Sequence, residues 1–339
     1  MTAPGIGLGI IGCGWAAGEI ARASAGMAQL RIVAACDADP ARAAAFAVRT
    51  GAALAPGIDA LMAHPDVTTV YVGLPHHLLA PTVERALAAK KHVLAEKPLA
   101  LDAPEARRLG DLAEARGLKL TVFFELRRAG TVAAARKLIA DGAIGMPRLI
   151  RIRTIIDKRL DYWGQPGALN WRASKAEAGG GVVMMNTIHQ LDTLRYITGL
   201  EIVRASAEIA TMVAPAEVED TASASLRLAN GAIVSLVASA HSPGAVDEET
   251  IEIDGTLGRL DLPDPFSTAP LRLYRTADKT WSELAVERPD SHRLMLESFA
   301  DAILRDQPVP AGAADAAAAL ATVRAIYRSA AEGRAVDIG

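Results

Sequence analysis

Up to about residue 124 the apolar positions change period repeatedly. The runs Ile6–Ile11, Leu30–Cys36, 67–72, His92–Ala95 and 118–124 are short and almost continuously apolar, as strands buried on both faces require. Between them lie alanine-rich segments with helical spacing, over 15–27, 40–49, 80–89 and from a cap at Asp102 to Arg116. Pro40 and Pro104 stand where a first helical turn tolerates proline. Strands alternating with helices predict βαβ units and a parallel sheet.

After residue 124 the pattern changes. A helix over 131–140 leads to a β-rich run over 148–156. A loop rich in tryptophan, proline and glycine then reaches Gly181, and a helix follows to Thr198. Stretches of period two come next, over 202–213, 222–228, 232–240 and 249–253, with Asn230-Gly231 as a hairpin turn between two of them. Consecutive hairpins predict an antiparallel sheet. Segments 291–305 and 313–332 read as closing helices. The expected fold class is therefore α/β over residues 1–124, followed by an α+β domain over 125–339. That second domain is built on a large, mostly antiparallel sheet, and its closing helices are free to pack back on the first domain.

Composition narrows the function classes. The 339 residues, 51% hydrophobic and 22% charged, suffice for two folded domains. The 36 basic and 39 acidic residues leave a net charge of -3, without the basic excess of a dedicated nucleic-acid partner. No stretch approaches the roughly 18 or more apolar residues of a membrane span. Residues 1–18 carry no charge, but no basic residue precedes the apolar run and its glycines break any helix, unlike a signal peptide. Cys13 and Cys36 are too few for a disulfide framework and suit a reducing cytoplasm. No nucleophile elbow, phosphate loop, zincin signature or other metal-ligand spacing occurs.

Two frames of G-x-G-x-x-G overlap near the amino end. Gly7, Gly9 and Gly12 match literally, but Gly7 would then lie inside the first strand. Gly12, Gly14 and Ala17 follow the strand and open the helix, and are better placed. Gly12 permits the tight turn, Gly14 lets backbone approach a pyrophosphate, and Ala17 lets the helix pack on the sheet. The helix start at Trp15 and Ala16 attracts the phosphates. Asp37, ending the second strand, is placed to bind ribose hydroxyls and repel a 2′-phosphate, which favours NAD over NADP. Arg42 is the only positive charge nearby. The pattern is that of a Rossmann dinucleotide-binding domain, although a glycine turn alone also occurs in other α/β proteins.

A second signal, Glu96-Lys97-Pro98, follows the strand over 92–95, at the edge where open α/β sheets take ligands. Pro98 disfavours helix at Lys97. A lysine held there can bind a substrate hydroxyl and stabilise charge developing on its oxygen; a solvated loop lysine is the alternative. The third signal is Gly179-Gly180-Gly181, opening the helix that carries His189. Helical spacing puts Met185, Asn186, His189 and Asp192 on neighbouring positions of one face. Histidine suits acid–base chemistry, with Asp192 or Asn186 as candidates to orient it. A histidine in a purely structural hydrogen bond is the alternative.

Gly12-Cys13-Gly14, Asp37, Glu96-Lys97-Pro98 and the glycine run ahead of His189, in this order along nearly the whole chain, resemble the Gfo/Idh/MocA family of nicotinamide-dependent oxidoreductases. The turn Ile253-Asp254-Gly255-Thr256-Leu257-Gly258 looks like the family's I-x-G-T-x-G. The resemblance implies a Rossmann domain and a second domain whose large sheet has an open face used for assembly, hence a homodimer or homotetramer. It implies a site between the domains, bounded by nicotinamide, Lys97 and His189. There a hydride would pass between NAD(P) and a secondary alcohol of a sugar, sugar acid or cyclitol. His189 would take the hydroxyl proton and Lys97 would hold the oxygen. Leu74, Pro75, His76 and Glu96 fall on the cofactor side. A dihydrodiol dehydrogenase of the same family and a non-catalytic nucleotide-binding sensor are the other readings.

Three departures mark this chain. Met185 stands where many members have aspartate, and Asn186 beside it is one residue out of register. Pro75-His76-His77-Leu78-Leu79 stands for the family's P-N-x-x-H. After Phe124, Arg127 and Arg128 are candidates to line the substrate site. Tyr162, Trp171 and Arg172 from the loop over 157–175, with Asn186, offer polar groups and aromatic faces to a sugar, polyol or diol. Tryptophans that only anchor the loop on the core are the alternative.

Overall fold

The computed structural model describes residues 5–165, 168–246 and 248–339. The chain divides into two compact units. The first joins the segment ending at Glu125 to Asp290–Ala317; the second joins Leu126–Pro289 to Ala318–Gly339.

Among the described residues the sheet of the first unit has six strands, all parallel. Their spatial order is Ala53–Leu54, Leu30–Cys36, Ile6–Ile11, Thr69–Val72, His92–Ala95, Leu120–Val122. Every residue of Ile6–Ile11 is buried, as its unbroken apolar run demands. Gly7 belongs to this strand: a Cβ there would lie 1.8 Å from the Asp66 carbonyl oxygen, so its glycine answers to packing and not to a turn. The helix expected over 80–89 starts earlier, as His76–Ala88, with Pro81 inside it. The Ala53–Leu54 strand and the Ile58–Ala63 helix escaped the sequence reading because each is too short to show a period.

The helix expected over 291–305 is Ser291–Leu304 and belongs to this first unit. Asp290 caps it, accepting from the His292 and Arg293 backbone N–H groups at 3.1 and 3.2 Å. Arg22 of the helix Trp15–Ser24 reaches the same carboxylate at 2.5 Å, and Arg293 Nη1 donates to the Ala25 carbonyl at 2.7 Å.

Among the described residues the second unit has a nine-stranded sheet. Its order is Thr280–Leu284, Leu271–Arg275, Gly258–Leu262, Glu249–Gly255, Pro147–Ile155, Ile233–Ser239, Thr221–Leu228, Ile202–Ala210, Val336–Asp337. All neighbours run antiparallel except Pro147–Ile155 beside Ile233–Ser239. Thr221–Leu228 alternates exposed and buried at every residue, so one face is packed and one is open. The helices Gly130–Ala140 and Ile188–Thr198 pack on the buried side. Asn230-Gly231 forms its turn with Gly231 at φ +88°, a left-handed conformation that glycine adopts without strain. Leu271–Arg275 and Thr280–Leu284 were not read from the sequence, because charged and polar residues interrupt their apolar positions.

The helical segment that carries His189 begins deep in this unit, where its first N–H groups have no water to bind. Glu219 and Tyr327 supply the acceptors. The Glu219 carboxylate takes the Gly181 N–H at 2.8 Å and the Val183 N–H at 3.0 Å; its carbonyl takes the Val182 N–H at 3.0 Å. Tyr327 donates its hydroxyl to the same carboxylate at 2.8 Å and accepts the Met184 N–H at 3.2 Å. This close seat explains the glycine run. A Cβ on Gly180 would lie 2.0 Å from the Tyr327 hydroxyl, and one on Gly181 would lie 1.7 Å from the Glu219 carbonyl oxygen. Burial raises the Glu219 carboxyl, against the lowering effect of those N–H groups. Replacing Glu219 by Ala leaves the Gly181 and Val183 donors buried and unsatisfied. We expect a loss on the order of 3 kcal/mol and a melting temperature lower by several degrees in calorimetry. A smaller loss, about 1 kcal/mol, is expected for Tyr327→Phe, which removes one neutral hydroxyl. Unchanged melting in Glu219→Ala would show that the seat is dispensable.

Candidate active site

The expected cofactor residues all follow the carboxyl ends of four adjacent parallel strands of the first unit. Asp37 follows Leu30–Cys36, Gly12 to Ala16 follow Ile6–Ile11, Leu74 to His76 follow Thr69–Val72, and Glu96 and Lys97 follow His92–Ala95. The strand order reverses between the second and third of these, the crevice where open α/β sheets bind ligands. Gly12 adopts φ +88°, and a Cβ on it would lie 2.2 Å from the Gly73 carbonyl oxygen. Gly14 caps the helix Trp15–Ser24 without any side-chain hydrogen bond, and a Cβ built there meets no atom within 4 Å. Backbone donors at a helix start beside open space fit a pyrophosphate. Trp15 is 81% exposed at the same turn.

Asp37 Oδ2 accepts the Cys13 N–H at 2.7 Å and Oδ1 accepts the Asp39 N–H at 2.8 Å. The carboxylate thus braces the glycine turn and keeps lone pairs for ribose hydroxyls. Arg42 Nη1 stands 3.5 Å from it. Cys13 and Cys36 are buried beside this turn; burial first, and then Asp37, pushes their thiols up to about 12 and about 11. Neither is a thiolate nucleophile near neutral pH.

His76 is buried as the first residue of its helix, and His77 is half-buried. The Lys97–Pro98 peptide is cis. Glu96 keeps part of its surface exposed and accepts the hydroxyl of fully buried Tyr71 at 2.9 Å. Burial raises the carboxyl of Glu96, and burial together with Glu96 and Glu125 holds the Tyr71 phenol well above its ordinary value. Tyr71 anchors the turn that carries Lys97 and was not foreseen. Its hydroxyl in an otherwise buried strand was the available sign, since buried tyrosines find partners for that oxygen.

In the second unit the helix bearing His189 is not regular. Residues Val183–Thr187 form a π turn before the α-helix Ile188–Thr198. The wider turn changes which side chains share a face. Of the four expected together, Met185 and Asp192 are 2% and 1% exposed, while Asn186 and His189 are half-buried. From Ala178 to Leu194 these two alone keep partial exposure. A histidine and an amide therefore open side by side from a buried scaffold.

Arg127 and Asp192 depart from expectation. Arg127 is buried, and its Nε and Nη2 reach the two oxygens of Asp192 at 2.7 and 2.6 Å. The Tyr196 ring lies 4.9 Å from the guanidinium. This forked pair gives Asp192 a structural partner and locks Arg127 into the fold of the unit, because burying either charge alone would be costly.

The loop residues divide between anchoring and lining. Trp163 is fully buried and anchors the loop, whereas Tyr162 and Trp171 are only half-buried. Tyr162 donates its hydroxyl to the Met185 sulfur at 3.5 Å, which links the loop to the His189 helix. Arg172 lies over both rings, 4.8 Å from that of Tyr162 and 4.7 Å from that of Trp171. Asn170 holds this corner, accepting the Arg172 N–H and donating to the Tyr162 carbonyl, both at 2.9 Å.

Comparison with known proteins agrees with both units. Residues 6–124 match the oxidoreductase family with an NAD-binding Rossmann fold, and residues 132–261 match the GFO/IDH/MocA C-terminal domain. The 1,5-anhydro-D-fructose reductase of Ensifer adhaerens is 30% identical over 98% of this chain and 97% of its own length. The inositol 2-dehydrogenase of Rhizobium meliloti is 28% identical over 97% of this chain and 98% of its own. A levoglucosan dehydrogenase solved with NADH and L-sorbose superposes with a TM-score of 0.91 at 26% identity, covering 99% of this chain and 100% of that one. The chain belongs to the Gfo/Idh/MocA family of NAD-binding oxidoreductases.

Proposed function

We propose that this protein is an NAD-dependent dehydrogenase, or reductase in the opposite direction, acting on a secondary alcohol of a sugar, sugar acid or cyclitol. The observation that carries the reading is the pairing of Asn186 and His189 as the two partly exposed side chains of an otherwise buried, tightly seated helix. His189 accepts the hydroxyl proton as the alcohol is oxidised, and Asn186 offers the substrate a neutral donor and acceptor. From the first unit, Lys97 stabilises the negative charge that develops on the substrate oxygen. NAD, when bound, supplies the acceptor for the hydride that leaves the carbon. The N–H groups at Gly14, Trp15 and Ala16 hold its pyrophosphate, Asp37 its ribose hydroxyls, and Leu74, Pro75, His76 and Glu96 the flanking edge. Tyr162, Trp171 and Arg172 hold the substrate. Arg127 keeps the structural place that its buried pair with Asp192 gives it.

Related enzymes named as an anhydrofructose reductase and an inositol dehydrogenase support this substrate range. No helix among the described residues is long and apolar enough to cross a membrane. The two free cysteines suit a reducing compartment, and we place the enzyme in the cytoplasm. We assign assembly into a homodimer or homotetramer to the open sheet face, where Leu149, Ile233 and Val237 are exposed on adjacent strands. Ile233→Glu should then lower the sedimenting mass.

The test is nicotinamide absorbance against a panel of cyclitols, aldoses, sugar acids and dihydrodiols, with NAD and with NADP. Turnover by one class, preferring NAD, is expected. His189→Asn should lower kcat by about 10²–10⁴ while NADH affinity stays close to that of the parent. A variant that still turns over at the parental rate would remove His189 from the chemistry. Asp37→Ala should weaken NADH binding by on the order of tenfold or more and NADPH binding by less, read by nicotinamide fluorescence. Equal losses for both would show that Asp37 only braces the turn.

A further inference from the structure

Lys158 joins Tyr162 and Arg172 in a cluster that hydride transfer does not itself require. The Lys158 ammonium stands 5.1 Å from the centre of the Tyr162 ring, and the Arg172 guanidinium 4.8 Å from the same centre. Two cations on one ring repel each other. Among the described residues neither has a carboxylate within ion-pair distance. Lys158 is half-buried, and burial lowers its ammonium; Glu249 acts from further away in the opposite sense, and Arg172 adds to the lowering. Positive charge partly removed from water and not cancelled locally gains by taking up an anion. The cluster is also fixed relative to His189, because Tyr162 reaches Met185, which lies one turn ahead of that histidine.

We propose that the substrate is a polyhydroxylated carboxylic acid, its carboxylate held by Lys158 and Arg172 while its secondary alcohol faces His189. The inference rests on the dehydrogenase reading above and narrows it. Arg172 offers a planar fork of N–H donors to the carboxylate and Lys158 a compact second charge. The rings of Tyr162 and Trp171 take the carbon skeleton. Holding the carboxylate fixes which hydroxyl meets His189, so the same contacts select the reacting carbon.

The test is calorimetric titration of the NADH-loaded protein with hexuronates and aldonates, each against its neutral hexose or alditol. The best acid should bind roughly tenfold or more tighter than its neutral counterpart, the scale of a charge-assisted hydrogen bond. That advantage should shrink as salt is raised. It should be lost in Lys158→Met and in Arg172→Met, each checked for folding by its melt and its NADH affinity. Arg172→Lys, which keeps the charge, should retain part of it, a result that lost packing alone would not give. Equal binding of acids and neutral sugars, or an acid advantage that survives both methionine substitutions, overturns the proposal. Turnover judges the underlying reading separately. Neutral sugars oxidised with no preference for acids sink this inference alone. Acids bound at Lys158 and Arg172 with no nicotinamide reduction across the panel sink the dehydrogenase reading alone.

Discussion

The second unit depends on one constraint: the buried start of a helix must find acceptors for its first N–H groups. Glu219 and Tyr327 satisfy four successive donors, Gly181 to Met184, through one carboxylate, one carbonyl and one hydroxyl. The side chains approach so closely that Gly180 and Gly181 have no room for a Cβ. A glycine run that could be mistaken for a phosphate cradle is here a seat for protein groups. A helix held at its first turn can carry an irregular element, and the π turn at Val183–Thr187 follows directly. The position of His189 is thus set by Glu219, distant along the chain, in the loop that enters the strand Thr221–Leu228.

The first unit solves a similar problem in the opposite way. The helix Trp15–Ser24 also begins with unsatisfied donors, yet Gly14 caps it with no side chain and has open space around it. The protein braces the turn from the side, through Asp37 on the Cys13 N–H, and leaves the helix start itself uncapped, as an anion site requires. One helix start is closed by a carboxylate that the fold supplies. The other has no side-chain cap and open space in front of it, which is why we propose it for the phosphates of the dinucleotide. The contrast lies in what surrounds each glycine, which motif matching does not see.

That distinction sets how far the chain could be read without coordinates. The parallel strands, their order of appearance, the Gly12–Gly14 turn, Asp37 and the Asn230-Gly231 hairpin follow from period and turn chemistry, which are local. The π turn was not legible, because Val182 to Thr187 has a sequence equally suited to a regular helix; the irregularity is imposed from outside it. The pairing of Arg127 was not legible for the same reason. Its partner Asp192 is remote in sequence, and each charge taken alone looks like a site residue. Tyr71 and Tyr327 escaped notice because each reads as an apolar position of its element. Their roles arise from the carboxylates they meet, Glu96 and Glu219.

The departure at Met185 makes sense on these terms. The side chain at 185 points into a buried corner against Tyr162, where a lone carboxylate would be desolvated and a thioether packs without cost. The π turn meanwhile brings the next residue, Asn186, to the partly exposed position beside His189. Polarity is kept at the opening and moved by one residue, but it is now neutral. On the loop side two cations, Lys158 and Arg172, lie over the ring of Tyr162, whose hydroxyl reaches Met185. On the proposal argued above, a carboxylate of the substrate meets those cations. Packing sets the methionine at 185, and the cations over the Tyr162 ring are what the proposed acid of the substrate answers, so the two features have separate physical causes.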